Sequence, residues 1–313
     1  MDAVYICRAG ENEELRYSLR SLVANIEHDR VWLFGVGPAW YAGQRVIVPQ
    51  DRDKYTNARR AIAAACTHHE VSDPFILMND DFYAIAPATV EMLDRGPVRD
   101  VITEIEEAGI GRGRYARGMF ATLEFLEGRG YQDPLSFSLH VPMPVRKSVM
   151  LGALALTENM RPGMHLRTIY GALAGEPSRT VEDVKLCRLR HKAADGAWLS
   201  TDDRTFHDAL ETLQRLFPDR TEYEEETMKV RALKPFKDRA GGCRRREDDV
   251  FDVTEARFRE INGSKYGKLV EALEQPKPDL ASVKMPELRK MAAERGIKVP
   301  VGMKKVDLVD MLS

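Results

Sequence analysis

The tripeptide Asn79-Asp80-Asp81 sets two adjacent carboxylates directly after the apolar run Phe75-Ile76-Leu77-Met78. Neighbouring carboxylates repel, and a divalent cation relieves that repulsion. Mg²⁺ or Mn²⁺ held there could also bridge a diphosphate. The competing reading is structural, an Asn-Asp-Asp turn that closes a strand. A second acidic pair, Asp202-Asp203, follows Trp198-Leu199-Ser200 and equally suits the N-cap of the helix expected after it.

These side chains need elements to present them. Short apolar runs at Ala3–Cys7, Val31–Val36, Arg45–Val48 and Pro74–Met78 read as strands. Between them, Asn12–Ile26 carries Leu15, Leu19, Leu22, Val23 and Ile26 at helical spacing, and Lys54–His68 is Ala-rich. Strands alternating with helices predict an α/β fold with a parallel sheet, whose ligands gather at the carboxyl ends of the strands. Asp80 and Asp81 fall at such an end. Further on, residues 88–130 read as a helical excursion with a Gly111-Arg112-Gly113-Arg114 turn. Ser136–Arg146 reads as extended, and Ser148–Asn159 and Asp203–Leu216 as helices.

A length of 313 residues predicts two domains, or one enzyme domain with appendages. The transferable boundaries are a first domain over 1–225, a small β module plus helix over 226–275, and a helix–extended–helix module over 279–313. In the middle part, Val230–Leu233 and Val250–Val253 read as strands around Gly241-Gly242, and Glu255–Leu273 as a helix. Gln275-Pro276-Lys277-Pro278 reads as a linker.

Apolar residues at 43% and charged ones at 31% exclude wholesale disorder. Apolar runs such as Ala61–Ala65 and Phe75–Met78 are short and fall far below the ~20 residues of a membrane span. The chain starts in a strand-like run without a basic leader, so a soluble protein of the cytoplasm with no membrane partner is expected. Cys7, Cys66, Cys187 and Cys243 form no Cys-x-x-Cys pair and read as free thiols. The net charge of −2 hides an asymmetry: residues 1–225 carry 27 basic against 34 acidic side chains, and residues 226–313 carry 20 against 15. A basic tail on an acidic body points to a polyanionic partner.

Four blocks of the chain resemble the Stealth family of phosphosugar transferases, in order and over residues 2–224. The first is Asp2-Ala3-Val4-Tyr5 with Asn12-x-Glu14-Leu15-Arg16-Tyr17-Ser18-Leu19-Arg20-Ser21-Leu22, and the second is Phe75–Phe82. The third is His140-Val141-Pro142-Met143-Pro144-x-Arg146-Lys147-Ser148 with Arg167-Thr168-Ile169-Tyr170-Gly171. The fourth is Trp198-Leu199-Ser200-x-Asp202-Asp203 with Leu216-Phe217-Pro218 and Tyr223-Glu224. One departure is Ile6-Cys7-Arg8-Ala9-Gly10, where the family continues its first strand into a Trp-Val-x-Gly type of motif. Donor preference could differ there.

The resemblance implies a GT-A-like, Rossmann-like fold, a nucleotide-sugar donor such as a UDP-sugar, and a divalent metal (Mn²⁺ or Mg²⁺) on Asp80 and Asp81. It implies a catalytic set of His140, Asp202, Asp203 and Arg167, and a donor-binding set of Arg8, Asn12, Arg16, Asn79 and Arg146. The chemistry of these residue types is compatible with those roles. His140 could take a proton from an acceptor hydroxyl, or pack a loop. Asp202 or Asp203 could be the base, a second metal ligand or a helix cap. Arg167 and Arg16 could neutralise phosphate oxygens, although Arg16 and Arg20 beside Glu13-Glu14 also read as a solvated helix face. Attack at the anomeric carbon (sugar transfer) and attack at the β-phosphorus (sugar-phosphate transfer) fit the motifs equally.

The tail, Leu280–Leu312, resembles SAP and Rho-N-terminal-like modules, which implies DNA or RNA binding through Lys290, Arg295, Lys298, Lys304 and Lys305. A protein-docking or structural hairpin is the alternative. A transferase joined to such a module suggests DNA as acceptor, through the hydroxyl of a hydroxymethylated base. That is a viral strategy, and it would place the protein in a virus-infected bacterial host. The alternatives are a sugar-phosphate transferase acting on a polysaccharide or glycoprotein with the tail as a docking module, and, last, a non-enzymatic nucleic-acid-binding scaffold.

Overall fold

The computed structural model describes residues 1–109, 113–160, 163–186, 196–238, 243–273, 284–294, 297, 299–300 and 303–312. Gly111, Arg112, Cys187, Gly241-Gly242, the 275–278 linker, Arg295 and Lys298 lie outside the described residues. The chain divides into two compact units. One comprises Met1–Thr227 with Pro235–Arg245, the other Met228–Lys234 with Arg246–Ser313.

The first unit opens with β1 (Ala3–Cys7), α1 (Glu13–Asn25), β2 (Val31–Gly35), β3 (Gln44–Ile47), α2 (Lys54–Thr67) and β4 (Phe75–Asn79). A short β5 (Phe82–Ala84), β6 (Leu93–Asp94), α3 (Val98–Glu107) and α4 (Arg114–Glu127) lead to β7 (Met143–Val145). Then come α5 (Lys147–Leu156), α6 (Leu166–Ala174), β8 (Arg179–Thr180), β9 (Trp198–Ser200) and α7 (Phe206–Leu216). The result is a mixed α/β fold around a five-stranded sheet of order β3-β2-β1-β4-β7. β1 runs parallel to both neighbours, with Ala3 opposite Val31 and Ile76. β7 pairs antiparallel with β4. The sheet is parallel as expected from β3 through β4, with β7 as one antiparallel edge, and an edge position suits Pro144, which has no N–H to donate.

Both faces of this sheet are covered, which is why its strands read as continuous apolar runs. Val4, Trp32, Phe34, Phe75 and Leu77 pack on one side with residues of α2, α5 and α6. Tyr5, Leu33, Ile76 and Met78 pack on the other with Leu15, Leu19 and Leu22 of α1. Burial of each such large side chain is worth roughly 1.5–3 kcal/mol.

Two caps start the helices beside the sheet. Asn12, at φ 47°, accepts the Leu15 N–H on its side chain, and Asp53 accepts that of Thr56. β5 and β9 pair antiparallel, Phe82 opposite Ser200, and the Thr201 N–H donates to the Asp81 carbonyl. This pairing carries Asp202 and Asp203 to the end of β4. The helix expected from Asp203 starts instead at Phe206, because Asp202 Oδ1 accepts from the N–H groups of Arg204 and Thr205 and closes a turn first.

In the second unit, β10 (Met228–Ala232) lies between β13 (Val250–Val253) and β14 (Val270–Ala272), antiparallel to both. The intervening hairpin, β11 (Phe236–Asp238) with β12 (Cys243–Arg245), belongs to the first unit. The helix expected over Glu255–Leu273 is corrected: α8 ends at Asn262 and the chain turns back into β14. The Asn262 side chain causes the reversal by accepting from the Leu269 and Val270 N–H groups and donating to the Val270 carbonyl. Last come α9 (Met285–Glu294) and α10 (Lys305–Leu312), which bury Leu288, Ala292 and Leu308 together.

Candidate active site

A cavity of about 460 Å³ opens at the carboxyl ends of β1 and β4. Ile6, Cys7 and Arg8 reach it from β1, and Asn79, Asp80 and Asp81 from β4. Lys54, Asn57, Ala58 and Ala61 of α2 form one wall, while Glu14 of α1, Lys185 and residues 202–204 complete it. Gln50 fixes the loop after β1, donating to the Cys7 carbonyl at 2.8 Å and accepting the Ala9 N–H at 3.3 Å.

Its floor is acidic and under-satisfied. Asp80 Oδ2 accepts from Asn12 Nδ2 at 2.6 Å. Burial, then the neighbouring Asp81 charge, pushes the Asp80 carboxyl up to about 6 despite that bond. Asp81 Oδ2 pairs with Lys185 Nζ at 2.7 Å, whereas its Oδ1 is buried with no partner. Glu14 is pushed up to about 7, first by burial and then by Asp80 and Asp81, and it accepts from Thr201 Oγ1 at 3.2 Å. Around this floor stand the cations Arg8, Lys54, Lys185 and Arg204. The exposed Arg8 guanidinium pairs with Asp203 at 2.8 Å.

An acidic floor with a cationic rim suits a cation and a polyphosphate bound together. The unpartnered Asp81 Oδ1 and the mutual repulsion of Asp80 and Asp81 fit a divalent ion. Among the described residues no group of three or more His, Cys, Asp or Glu side chains is assembled as a ligand shell.

Asp80, Asp81, Asn79, Arg8, Asp202 and Asp203 are brought together at this cavity, and Asn12 touches it through Asp80. Asp202 spends Oδ1 on the turn that precedes α7, and those hydrogen bonds outweigh burial and hold its carboxyl below the usual range. Other candidates stand elsewhere in the unit. Arg16 lies 4.1 Å over the Trp40 ring and, with Arg20, clasps the fully buried Glu224 carboxylate. It is thus neither a cavity residue nor a solvated one. Arg146 donates to the Ala174 carbonyl and pairs with Glu176. Arg167 donates to the Leu139 and Val141 carbonyls at 2.9 and 2.5 Å. Its Nε is buried without a partner, and burial draws the guanidinium down to about 10. His140 Nδ1 sits 2.9 Å from Asp183. In the second unit, Lys290, Lys304 and Lys305 are exposed on or beside α9 and α10.

No protein-family profile and no curated protein matches the sequence. The resemblance to Stealth and SAP proteins therefore rests on the motifs themselves. Among solved structures, that of mouse xyloside xylosyltransferase 1 in its apo form is similar at 9% identity and a TM-score of 0.30, over 72% of this chain and 96% of that one.

Glu14, Lys185, Asp183 and Gln50 were not singled out by the sequence. Glu14 carried a usable signal, an acid in the first turn of a helix capped by Asn12 and aimed at the sheet end. Asp183 and Lys185 carried none, since their partners lie 43 and 104 residues away.

Proposed function

We propose that the chain is a GT-A-like glycosyltransferase that moves a sugar from a nucleotide-sugar donor, such as a UDP-sugar, to an acceptor hydroxyl. The observation that carries this reading is the Asp80–Asp81 pair, largely withdrawn from water at the carboxyl end of β4 and opening on a cavity with a cationic rim. Asp80 and Asp81 would hold Mn²⁺ or Mg²⁺. Bound there, the ion neutralises charge that develops on the departing diphosphate. Asn12 orients Asp80, and Lys185 shares Asp81. Arg8, Lys54 and Arg204 bring positive charge to phosphate oxygens. Gln50, by fixing the loop after β1, shapes the nucleotide's entry. Arg167, committed to two carbonyls, supports the loop carrying His140 rather than contacting phosphate.

The acceptor we favour is a hydroxymethylated base in DNA, with Lys290, Lys304 and Lys305 of the second unit making backbone contacts. The test is a nucleoside assay by mass spectrometry. The full chain, Mn²⁺ and a panel of nucleotide sugars are incubated with plain or 5-hydroxymethylpyrimidine DNA, which is then digested. A mass gain of one sugar residue on the modified nucleoside is the expected result. A gain that includes phosphate would identify sugar-phosphate transfer instead. Donor hydrolysis without any nucleoside shift would remove DNA as acceptor and point to a glycan or glycoprotein hydroxyl. No turnover of any donor would overturn the transferase reading.

A further inference from the structure

The geometry points to Asp183 as the positioning residue that makes His140 the base for the acceptor hydroxyl, an inference that rests on the transferase reading above. His140 Nδ1 lies 3.0 and 2.9 Å from the two Asp183 oxygens, and the His140 backbone N–H donates to the same carboxylate at 3.1 Å. An ionised carboxylate only accepts, so the ring proton belongs on Nδ1 and the lone pair on Nε2. Among the described residues Nε2 makes no hydrogen bond. Asp183 is 8% exposed and His140 27%. The orienting group is therefore nearly dry, while the ring that it holds is partly exposed.

The ring has little freedom to turn. The edge of Phe82 meets it at 6.3 Å and 88°. On either side of His140, the Leu139 and Val141 carbonyls are both held by the Arg167 guanidinium. A fork bonded to two carbonyls two residues apart fixes the backbone between them. Asp183 and Arg167 thus hold the same residue from two directions, one through the ring and one through the main chain.

The same short segment ties this base to the cavity. Residues 184–186 pair with Ser200 of β9, through Ser200 N–H to the Val184 carbonyl and Leu186 N–H to the Ser200 carbonyl. Along an extended segment, side chains two apart leave on the same side, their Cα atoms roughly 7 Å apart. Asp183 reaches His140, and Lys185 reaches Asp81 at 2.7 Å. The acceptor hydroxyl belongs at His140 Nε2, on the same side of this segment as the donor's diphosphate. In the transfer, the acceptor oxygen forms a bond to the anomeric carbon as its proton passes to Nε2. The bond from that carbon to the diphosphate oxygen breaks, and its electron pair leaves with the nucleoside diphosphate.

The test combines kinetics with a spectroscopic signature. Long-range ¹H–¹⁵N correlation on the full chain without substrate should show neutral His140 protonated on Nδ1, and Asp183→Asn should mix the two tautomers. With the donor and acceptor that the nucleoside assay identifies, Asp183→Asn should lower kcat on the order of 10²-fold while the donor KM stays within about twofold. Asp183→Glu should recover part of the loss. An Nε2–H tautomer in the wild type, or an unchanged kcat in folded Asp183→Asn, overturns the inference. If Asp183→Asn does not fold, the wild-type tautomer decides. If the wild type transfers nothing from any donor, the transferase reading falls, and the tautomer still judges the hold of Asp183 on His140.

Discussion

The two ends of the central sheet treat carboxylates in opposite ways. At the amino end of β1, Asp2 is buried and saturated. It accepts from Arg30 Nη2 and the Trp32 indole at 2.9 Å, and from the Ser72 N–H at 3.0 Å. Burial alone would raise its carboxyl, but these bonds win and hold it below the usual range. At the carboxyl end of β4, Asp80 has Asn12 for support, Asp81 leaves one oxygen orphaned, and both face Glu14. The difference teaches which carboxylate serves the fold and which is kept short of partners for a ligand, because unsatisfied buried charge is retained only where something else offsets its cost.

The sharpest way to break this comparison is Asp81→Ala. It should lower donor turnover by at least about 10³-fold, while the melting temperature of the ligand-free protein holds or rises. Asp80→Asn should raise that melting temperature by a few degrees, since it removes a repelled charge and keeps an oxygen for Asn12. A large loss of stability in either variant would mean that the pair is structural after all. Asp2→Ala is the counterpart at the other end. It strands the Trp32 and Ser72 donors and should cost about 3 kcal/mol in urea unfolding. A loss below about 1 kcal/mol would erase the contrast.

The strand that delivers Asp80 and Asp81 was legible because an apolar run ends abruptly on polar residues, and α1 was legible because Leu15, Leu19 and Leu22 share one face, although Val23 turns out exposed. β14 was missed although Asn262-Gly263-Ser264 and Gly267 interrupt the helical spacing: Gly263 caps α8, Gly267 turns at φ 70°, and the Asn262 side chain bonds across to Leu269 and Val270. The acidic floor was half legible. Asp80 and Asp81 are adjacent in sequence, whereas Lys185 and Asp183 join their partners through β5–β9 pairing, which no local spacing encodes. Arg16 shows the converse: on its helix face it looks free, and only the fold reveals that Glu224, 208 residues on, has claimed it.

A smaller effect is expected from pH, away from both sheet ends. His165, beside α6 in the first unit, contacts Ser138 Oγ at 2.7 Å and the Tyr115 carbonyl at 3.0 Å. Burial lowers its imidazole from 6.5 to about 4. Between those values the unfolded chain binds a proton that the folded chain does not, so stability rises with pH there. The contribution is complete above about pH 6.5 and is lost as the pH falls toward 4, on the order of 3 kcal/mol in all. His165→Gln should flatten that part of the stability profile, read as urea midpoints at pH 7, 6 and 5. Parallel profiles for variant and wild type would show that the ring is not held neutral by the fold.

The smallest effect is expected at the Arg8–Asp203 pair, and its smallness is informative. Arg8 is 66% exposed and Asp203 73%, so solvent screens their attraction and Asp203→Ala should change stability by less than about 0.5 kcal/mol. Arg8 nonetheless lines the cavity. An exposed ion pair that is worthless to the fold can still matter to a polyanionic ligand, because the ligand competes for the same guanidinium. Removing Asp203 frees Arg8, while removing Arg8 takes away the charge itself. Arg8→Ala should therefore raise the donor KM several-fold, and Asp203→Ala should leave it unchanged or lower it. Equal increases in the two variants would mean that the pair acts as a unit to shape the cavity, and that Asp203 belongs with Asp80 and Asp81 among the carboxylates kept for the ligand.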